Sequence, residues 1–335
     1  MPQPQESRSP RFSVALCSFN GRQFIDAQVE SIFAQTLAPA EIVAVDDGST
    51  DGTWERLEEL AERSPVPMRV ERNPERLGSQ RNFERAIGLC REELIALSDQ
   101  DDLWVAHKLE RLAGIFAAQP EVTAVFSDAE LVDEQLQPLG RTMFGYLGLG
   151  DAQLREIEQG AGFDAMLSQA MVTGATLAFR SALVPRILPM PPPRPGLIHD
   201  RWIALAALAS GRLAVVREPL VRYRQHRAQL VGTPPKEVSA ADRADKAFAR
   251  DAWDLGAELE LMRELRGWIS ERAGDALRPG FTAALDDRIA HLELRRTLPR
   301  RRIARFEPVA NELLRGGYGR WASGWLSALK DLAPR

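Results

Sequence analysis

The sequence predicts an α/β fold with a mostly parallel central sheet flanked by helices. Three observations predict it. Short apolar runs alternate with helical stretches of about ten to fifteen residues, the pattern of βαβ units. The runs are apolar along their whole length, as strands covered on both faces are. Several end abruptly in polar or acidic clusters, and open parallel sheets bind ligands beyond the carboxyl ends of their strands.

Taken in order, 12–19 is the first strand, turned by Asn20-Gly21. Phe24, Ile25, Gln28, Val29, Ile32 and Phe33 recur at helical spacing, and Pro39 ends that helix. The second strand, 41–45, runs into Asp46-Asp47-Gly48-Ser49-Thr50-Asp51, from which a helix over 53–63 starts. A strand at 68–70, a helix at 78–89, a strand at 94–98, a helix at 108–118 and a strand at 122–126 follow. Strand ends are then Ser18 to Asn20, Asp46 to Asp51, Asp99 to Asp102 and Asp128, so carboxylates from several strands converge on one edge.

From Asp151 the alternation loosens. Residues 172–179 read as a loop entering a strand, 189–195 as proline-rich linker, 199–209 as an apolar helix, and 212–216 and 220–223 as two short strands. Past Val231-Gly232-Thr233-Pro234-Pro235 the composition turns to Ala, Leu, Glu and Arg at helical spacing. The expected organisation is a disordered N-terminus over 1–10, a catalytic domain over 11–232 whose halves meet at 128/129, and a helical extension over 233–335.

Composition narrows the class. The 335 residues are ample for a large core. No segment reaches the roughly 18 to 20 apolar residues needed to cross a bilayer, and the first ten residues lack an apolar signal core. A cytoplasmic, non-exported protein is expected. The two cysteines, Cys17 and Cys90, sit in apolar segments and read as buried thiols of a reducing compartment. From Arg288 onward eleven Lys and Arg face four Asp and Glu, a local +7 inside a chain of net charge −4. That asymmetry argues against a nucleic-acid-binding body and leaves room for an anionic surface meeting the C-terminus.

The chemistry centres on Leu97-Ser98-Asp99-Gln100-Asp101-Asp102. Three carboxylates within four residues repel one another, and a divalent cation holding a diphosphate would relieve that repulsion, since hard cations take oxygen ligands. A lone Asp-x-Asp is equally well a solvated turn with a helix-capping Asp. The surrounding residues decide between them.

Residues 13–21, 45–53, the Asn73-Pro-Glu-Arg-Leu-Gly78 stretch, 96–104, His199-Asp-Arg-Trp202 and Tyr223-Arg-Gln-His226 resemble family 2 glycosyltransferases of the GT-A fold, in the branch labelled rhamnosyltransferase-like. The resemblance covers 11 to about 231. It implies inverting transfer of a sugar from a nucleotide-diphosphate donor, dTDP-rhamnose or a UDP-sugar, to a hydroxyl of a glycan or lipid-linked acceptor in bacterial surface-polysaccharide assembly. It places Asn20 in the first nucleotide-binding loop, Asp47 at the base and Asp99 at the ribose. Asp101 would hold Mg²⁺ or Mn²⁺, supported by Asp102 and, more weakly, by His226. Gly174, His199 and Trp202 fall on the acceptor side, and Asp200 takes the place of the general base. In many relatives Glu precedes that aspartate; His199 precedes it here, as in the rhamnosyltransferase-like branch.

Each assignment has a plainer counterpart. Asp200 would also serve as an N-cap for the helix that follows, Asp46 and Asp47 as an Asx-type turn, Trp104 and Trp202 as packing residues, and Arg76 as an exposed arginine. His107 and His291 read as structural. A metal-dependent phosphohydrolase built on Asp-x-Asp leaves the Asp46-Asp47-Gly48 loop unexplained, and a non-catalytic sugar-nucleotide-binding scaffold is distinguished by replacing Asp200 with Asn. In the tail, Arg295, Arg296, Arg300, Arg301, Arg302 and Arg305 precede Tyr318, Trp321, Trp325, Leu329 and Leu332 on one face of a helix. Peripheral contact with an anionic membrane is one reading, and packing of that helix onto the catalytic domain is the other.

Overall fold

The structure is a computed structural model that describes residues 10–169, 171–193, 197–226, 255–272, 277–278 and 280–333. The chain divides into two compact units, one of Met1–Gly160 with Met171–Thr233, the other of Ala161–Ala170 with Pro234–Arg335. The short segment 161–170, which the sequence reading leaves in the catalytic part, belongs to the second unit. The expected disordered N-terminus lies outside the described residues except for Pro10, and so does the proline-containing stretch 231–235.

The first unit is built on β1 (Phe12–Ser18), β2 (Glu41–Asp46), β3 (Met68–Arg72), β4 (Leu94–Asp99), β5 (Leu103–Trp104), β6 (Val122–Val132), β7 (Pro138–Thr142), β8 (Leu177–Arg180) and β9 (Arg212–Arg224). Its helices are α1 (Ile25–Phe33), α2 (Thr53–Glu62), α3 (Ser79–Leu89), α4 (Lys108–Ala118), α5 (Met143–Leu147) and α6 (Asp151–Glu158), then, after α7 (Phe163–Ser168) of the second unit, α8 (Val184–Ile187) and α9 (His199–Ser210). Strands β1, β2 and β4 are buried almost throughout and pair in parallel, as runs of Val, Ile, Leu and Ala without alternation should. Helix α1 turns Ile25, Val29 and Ile32 inward at i, i+4, i+7, and α9 is buried on nearly every face.

All nine strands belong to one sheet, in the order β3-β2-β1-β4-β8-β6-β9-β5 with β7 on β6. The expectation of a mostly parallel sheet holds only for its first half. Strand β8 enters antiparallel between β4 and β6, β5 and β7 pair antiparallel at the margins, and β6 with β9 is parallel again. Two further readings are corrected. The two short strands at 212–216 and 220–223 are one strand, β9, whose register shifts opposite Asp128 let it pass Pro219 without breaking. Asp128 is not at a strand end, because β6 continues to Val132; its Oδ1 accepts from the Ala129 and Phe144 amides at 2.8 and 2.9 Å.

The second unit adds α7 to α10 (Leu255–Arg272), α11 (Phe281–Thr297), α12 (Arg302–Leu314), α13 (Gly317–Trp321) and α14 (Trp325–Leu332). A small apolar cluster of Leu298, Val309, Tyr318 and Ala328 lies among the last four. The sequence reading of one aromatic helix face across 318–332 fails at Gly324. Its φ of 61° ends the run between α13 and α14, so Tyr318 and Trp321 go inward while Trp325 and Leu329 stay outside. Arg295 and Arg305, expected in a solvated basic cluster, are buried as well.

Candidate active site

The site starts from the end of β4. Asp99 is the last residue of that strand, and the chain turns immediately through Gln100, Asp101 and Asp102. Gln100 fixes the turn against β1: Phe19 N donates to its Oε1 at 2.7 Å, and its Nε2 donates to Phe19 O at 3.0 Å. A side chain at position 21 would run into Gln100, which is why glycine follows Asn20. From the other side the end of β9 holds the turn. Arg224 N donates to Asp102 Oδ1 at 3.1 Å and Arg224 Nε to Asp101 O at 2.8 Å. His226 Nε2 lies 2.8 Å from Asp101 Oδ2, its ring packed on Phe24.

These carboxylates are held close at an electrostatic cost. Burial first, then repulsion from Asp101 and Asp200, pushes Asp99 up to about 8, with Lys108 opposing. Asp102 is driven well above the usual carboxylate range by burial and then by Asp101 and Asp99. Its Oδ2 is buried with no partner among the described residues, which costs about 1–3 kcal/mol for a polar group left unsatisfied. Such costs persist where a ligand is meant to relieve them.

Asp200 opens α9 and is 6 % exposed. Its Oδ2 accepts from Gly174 N at 3.1 Å and its Oδ1 from its own helix at Arg201 N, 2.5 Å. Burial raises its pKa to about 6 against those two backbone hydrogen bonds. Gly174 allows a close approach: a Cβ there would lie 2.7 Å from His199 Nε2. The His199 ring stacks on Phe83 with centroids 4.0 Å apart, neither ring nitrogen has a partner among the described residues, and burial pulls its pKa down to about 3. Trp202 is 1 % exposed, with its indole donating to Ile187 O, so it packs under the site and offers no open ring face.

The two N-terminal loops are tied together by their own aspartates. Asn20, at φ 48°, donates from its amide to Ser49 Oγ and accepts from Thr50 N at its Oδ1. Asp46 Oδ1 accepts from Ser18 Oγ, and its Oδ2 from Ser49 N. Asp47 is buried and accepts from Asn73 Nδ2, Leu77 N and Gly78 N at 2.7–2.8 Å. It therefore clamps the 73–78 loop, a task its expected role at the base did not include. Arg76 of that loop lies over the Phe19 ring, 3.9 Å from its centroid.

Asp99 feels both Asp101 and Asp200, Asp102 feels Asp101 and Asp99, and all four raise the pKa of the Tyr223 phenol further, after burial. Cys17 feels both Asp99 and Asp47, which ties the second loop to the same edge. Three participants escaped the sequence reading. Lys108, taken only as a helix start, is fully buried. Its Nζ donates to Ala175 O at 2.6 Å and sits over Trp104, 3.7 Å from the ring centroid. Burial pulls its pKa well down while Asp102 and Asp99 hold it up. Gln100 and Arg224 fix the acidic turn, and both stand inside motifs quoted from the sequence without being given a role there.

Among the described residues no group of three or more His, Cys, Asp or Glu side chains converges as a ready cage for a metal ion. What is present is an open arrangement: Asp101 beside His226, and the unpartnered Oδ2 of Asp102. Oxygen-rich donors with positions left for a diphosphate suit Mg²⁺ or Mn²⁺.

Residues 13–173 match the family described as Glycosyl transferase family 2; Asp200, Arg224 and His226 lie beyond that segment. An uncharacterized glycosyltransferase of Nostoc is 24% identical over 220 residues, 65% of this chain and 66% of that protein. The UDP-Glc:alpha-D-GlcNAc-diphosphoundecaprenol beta-1,3-glucosyltransferase of Escherichia coli is 30% identical over 97 residues, 29% of this chain and 38% of that one. The chain thus spans less than two thirds of either relative. The mannosyltransferase of Pyrobaculum calidifontis, solved with GDP-Man and Mn²⁺, superposes with a TM-score of 0.54 at 21% identity, covering 98% of this chain and 83% of that one. The fold is GT-A.

Proposed function

From the match of residues 13–173 to the family described as Glycosyl transferase family 2, we propose that this chain moves a sugar from a nucleotide-diphosphate donor to a hydroxyl of a glycan or lipid-linked acceptor. The setting would be the assembly of a bacterial surface polysaccharide, and the place the cytoplasm. The observation that carries the reading is the acidic turn after β4, held from the end of β9 by Arg224 at Asp101 O and Asp102 Oδ1 and met by His226 at Asp101 Oδ2, with Asp200 near enough to oppose ionisation of Asp99.

The roles follow from position. Asp200 takes the proton of the attacking hydroxyl; a carboxylate with a pKa of about 6 is ionised at neutral pH and still basic enough to accept it. Gly174 N and Arg201 N hold its two oxygens and fix its direction. Direct attack from that side inverts the anomeric carbon with no covalent intermediate. Asp101, with His226 and Asp102, would hold Mg²⁺ or Mn²⁺, which when bound supplies Lewis-acid stabilisation of the departing diphosphate. Asp99 faces the ribose, and Asn20 and Asp47 shape the nucleotide loops. Gly174 and His199 border the acceptor.

The donor is dTDP-rhamnose on the branch resemblance, or a UDP-sugar in line with the UDP-Glc named for the Escherichia coli relative. The test is thermal denaturation with dTDP-rhamnose, UDP-Glc, UDP-GlcNAc and GDP-Man, each with Mn²⁺ or with chelator. A donor at a hundred times its Kd adds about 2.7 kcal/mol to the folded state. One donor should raise Tm, and only with the cation. No rise with any donor, or a rise indifferent to chelator, would overturn the assignment.

A further inference from the structure

We propose that the outward sides of α12 and α14 form a docking surface for a bilayer bearing anionic lipid. Helix α12 has two faces. It turns Arg305, Val309 and Glu312 inward, while Ile303 is 93%, Phe306 66% and Leu314 88% exposed. Helix α14 repeats the arrangement, burying Ser327, Ala328 and Asp331 and leaving Trp325 64% and Leu329 54% exposed. These residues are not frayed ends of an unfinished core. Arg305 Nη1 donates to Asp331 O and Ala333 O at 3.1 and 2.8 Å, and Arg302 Nε donates to Leu332 O at 3.2 Å, so the two helices are pinned with their apolar sides outward.

Charge selects the occupant. Arg296, Arg300, Arg301 and Arg302 are exposed around these helices. Of the four acids from Arg288 onward, Glu312 and Asp331 are buried and Glu293 pairs with Arg263, which leaves Glu307 as the exposed acid of α12. Apolar anchors with an aromatic ring, rimmed by arginines whose stems can lie along lipid while their heads reach phosphate, match an anionic leaflet. A second copy would bring the same arginines to the same face and be repelled. No described helix is long and apolar enough to span a membrane, so the helices would lie in its plane.

Vesicle binding needs no donor, metal or turnover, so it stands or falls apart from the transferase reading. The full chain is spun with vesicles of phosphatidylcholine alone or with added phosphatidylglycerol, beside I303S/F306S/W325S/L329S and R296E/R300E/R301E. Circular dichroism melting confirms that both variants fold, since every changed side chain is exposed. Expected is binding to the phosphatidylglycerol vesicles only, weakened on the order of a hundred-fold by either variant and reduced by salt in the parent chain. Three results would overturn the proposal: no vesicle binding, binding that the apolar variant retains, or a dimer in light scattering that the apolar variant turns into a monomer.

Discussion

Both units bury charge, and they do so in opposite ways. In the first, carboxyl groups crowd together: ionisation of Asp99 is opposed by burial and then by Asp101 and Asp200, that of Asp102 by burial and then by Asp101 and Asp99, and Lys108 works against both shifts. In the second, the buried groups alternate in sign and answer one another. Arg295 Nε meets Asp331 Oδ2 at 2.7 Å and Tyr318 donates to the same oxygen at 2.8 Å, while His291, which burial pulls down to about 3, meets Glu312 as a neutral ring at 2.7 Å. Opposite charges that meet, as Arg295 and Asp331 do, make architecture, because each meets the other's charge without a ligand. Like charges held together leave a deficit that something from outside must fill.

That contrast predicts different outcomes for substitutions that look alike on paper. Asp200→Asn should lower kcat on the order of a thousand-fold, the typical contribution of a positioned general base. Tm should change little: the amide oxygen can accept from only one of the Gly174 and Arg201 amides, and removal of a buried charge offsets the bond lost at the other. Unchanged turnover in initial-rate assays would remove Asp200 as the base and favour a non-catalytic scaffold. In the second unit Asp331→Asn should do the reverse. It removes the charge that Arg295 Nε and the Tyr318 hydroxyl meet and should destabilise by about 3 kcal/mol, read as a lower Tm in thermal denaturation. An undiminished Tm would mean that the network is ornamental.

The smallest effect is on pH. Asp200 must be ionised to accept a proton, and burial places its pKa at about 6. The rate should therefore be level above that value and fall about ten-fold per unit as pH drops below it. The same shift has a sign for stability. The folded state holds the proton more tightly than the unfolded chain does, so Asp200 costs stability as pH rises from the ordinary carboxylate range through about 6. Asp200→Asn should remove that slope in denaturant titrations.

Much of the first unit was legible because its strands are short, wholly apolar and separated by amphipathic helices up to α4. The reading weakened where geometry is non-local. Strand β8 pairs antiparallel with β4 although the whole of 100–176 lies between them in the chain, and no local pattern announces the direction of such a pairing. Strands β5 and β7 are two and five residues long, and β7 is polar and exposed. At the site, the cluster of like charges was visible as composition, whereas the burial of Lys108 was not. A lysine opening a helix looks solvated until the tertiary fold closes over it. In the tail, Gly324 looks in sequence like a tolerated interruption, and its left-handed backbone sends neighbouring aromatics to opposite sides.

The hold of Arg224 on the acidic turn has a further consequence. Its contacts to Asp101 and Asp102 join residues separated by 122 and 123 positions in the chain. A nascent polypeptide that has completed β1 to β6 can already own a sheet, yet the turn after β4 has to wait until β9 is laid down before it acquires its shape. Competence for chemistry thus arrives at the end of folding, after the scaffold, and a fragment stopped short of residue 224 would keep the outline of the domain while its acidic turn went without the grip of β9.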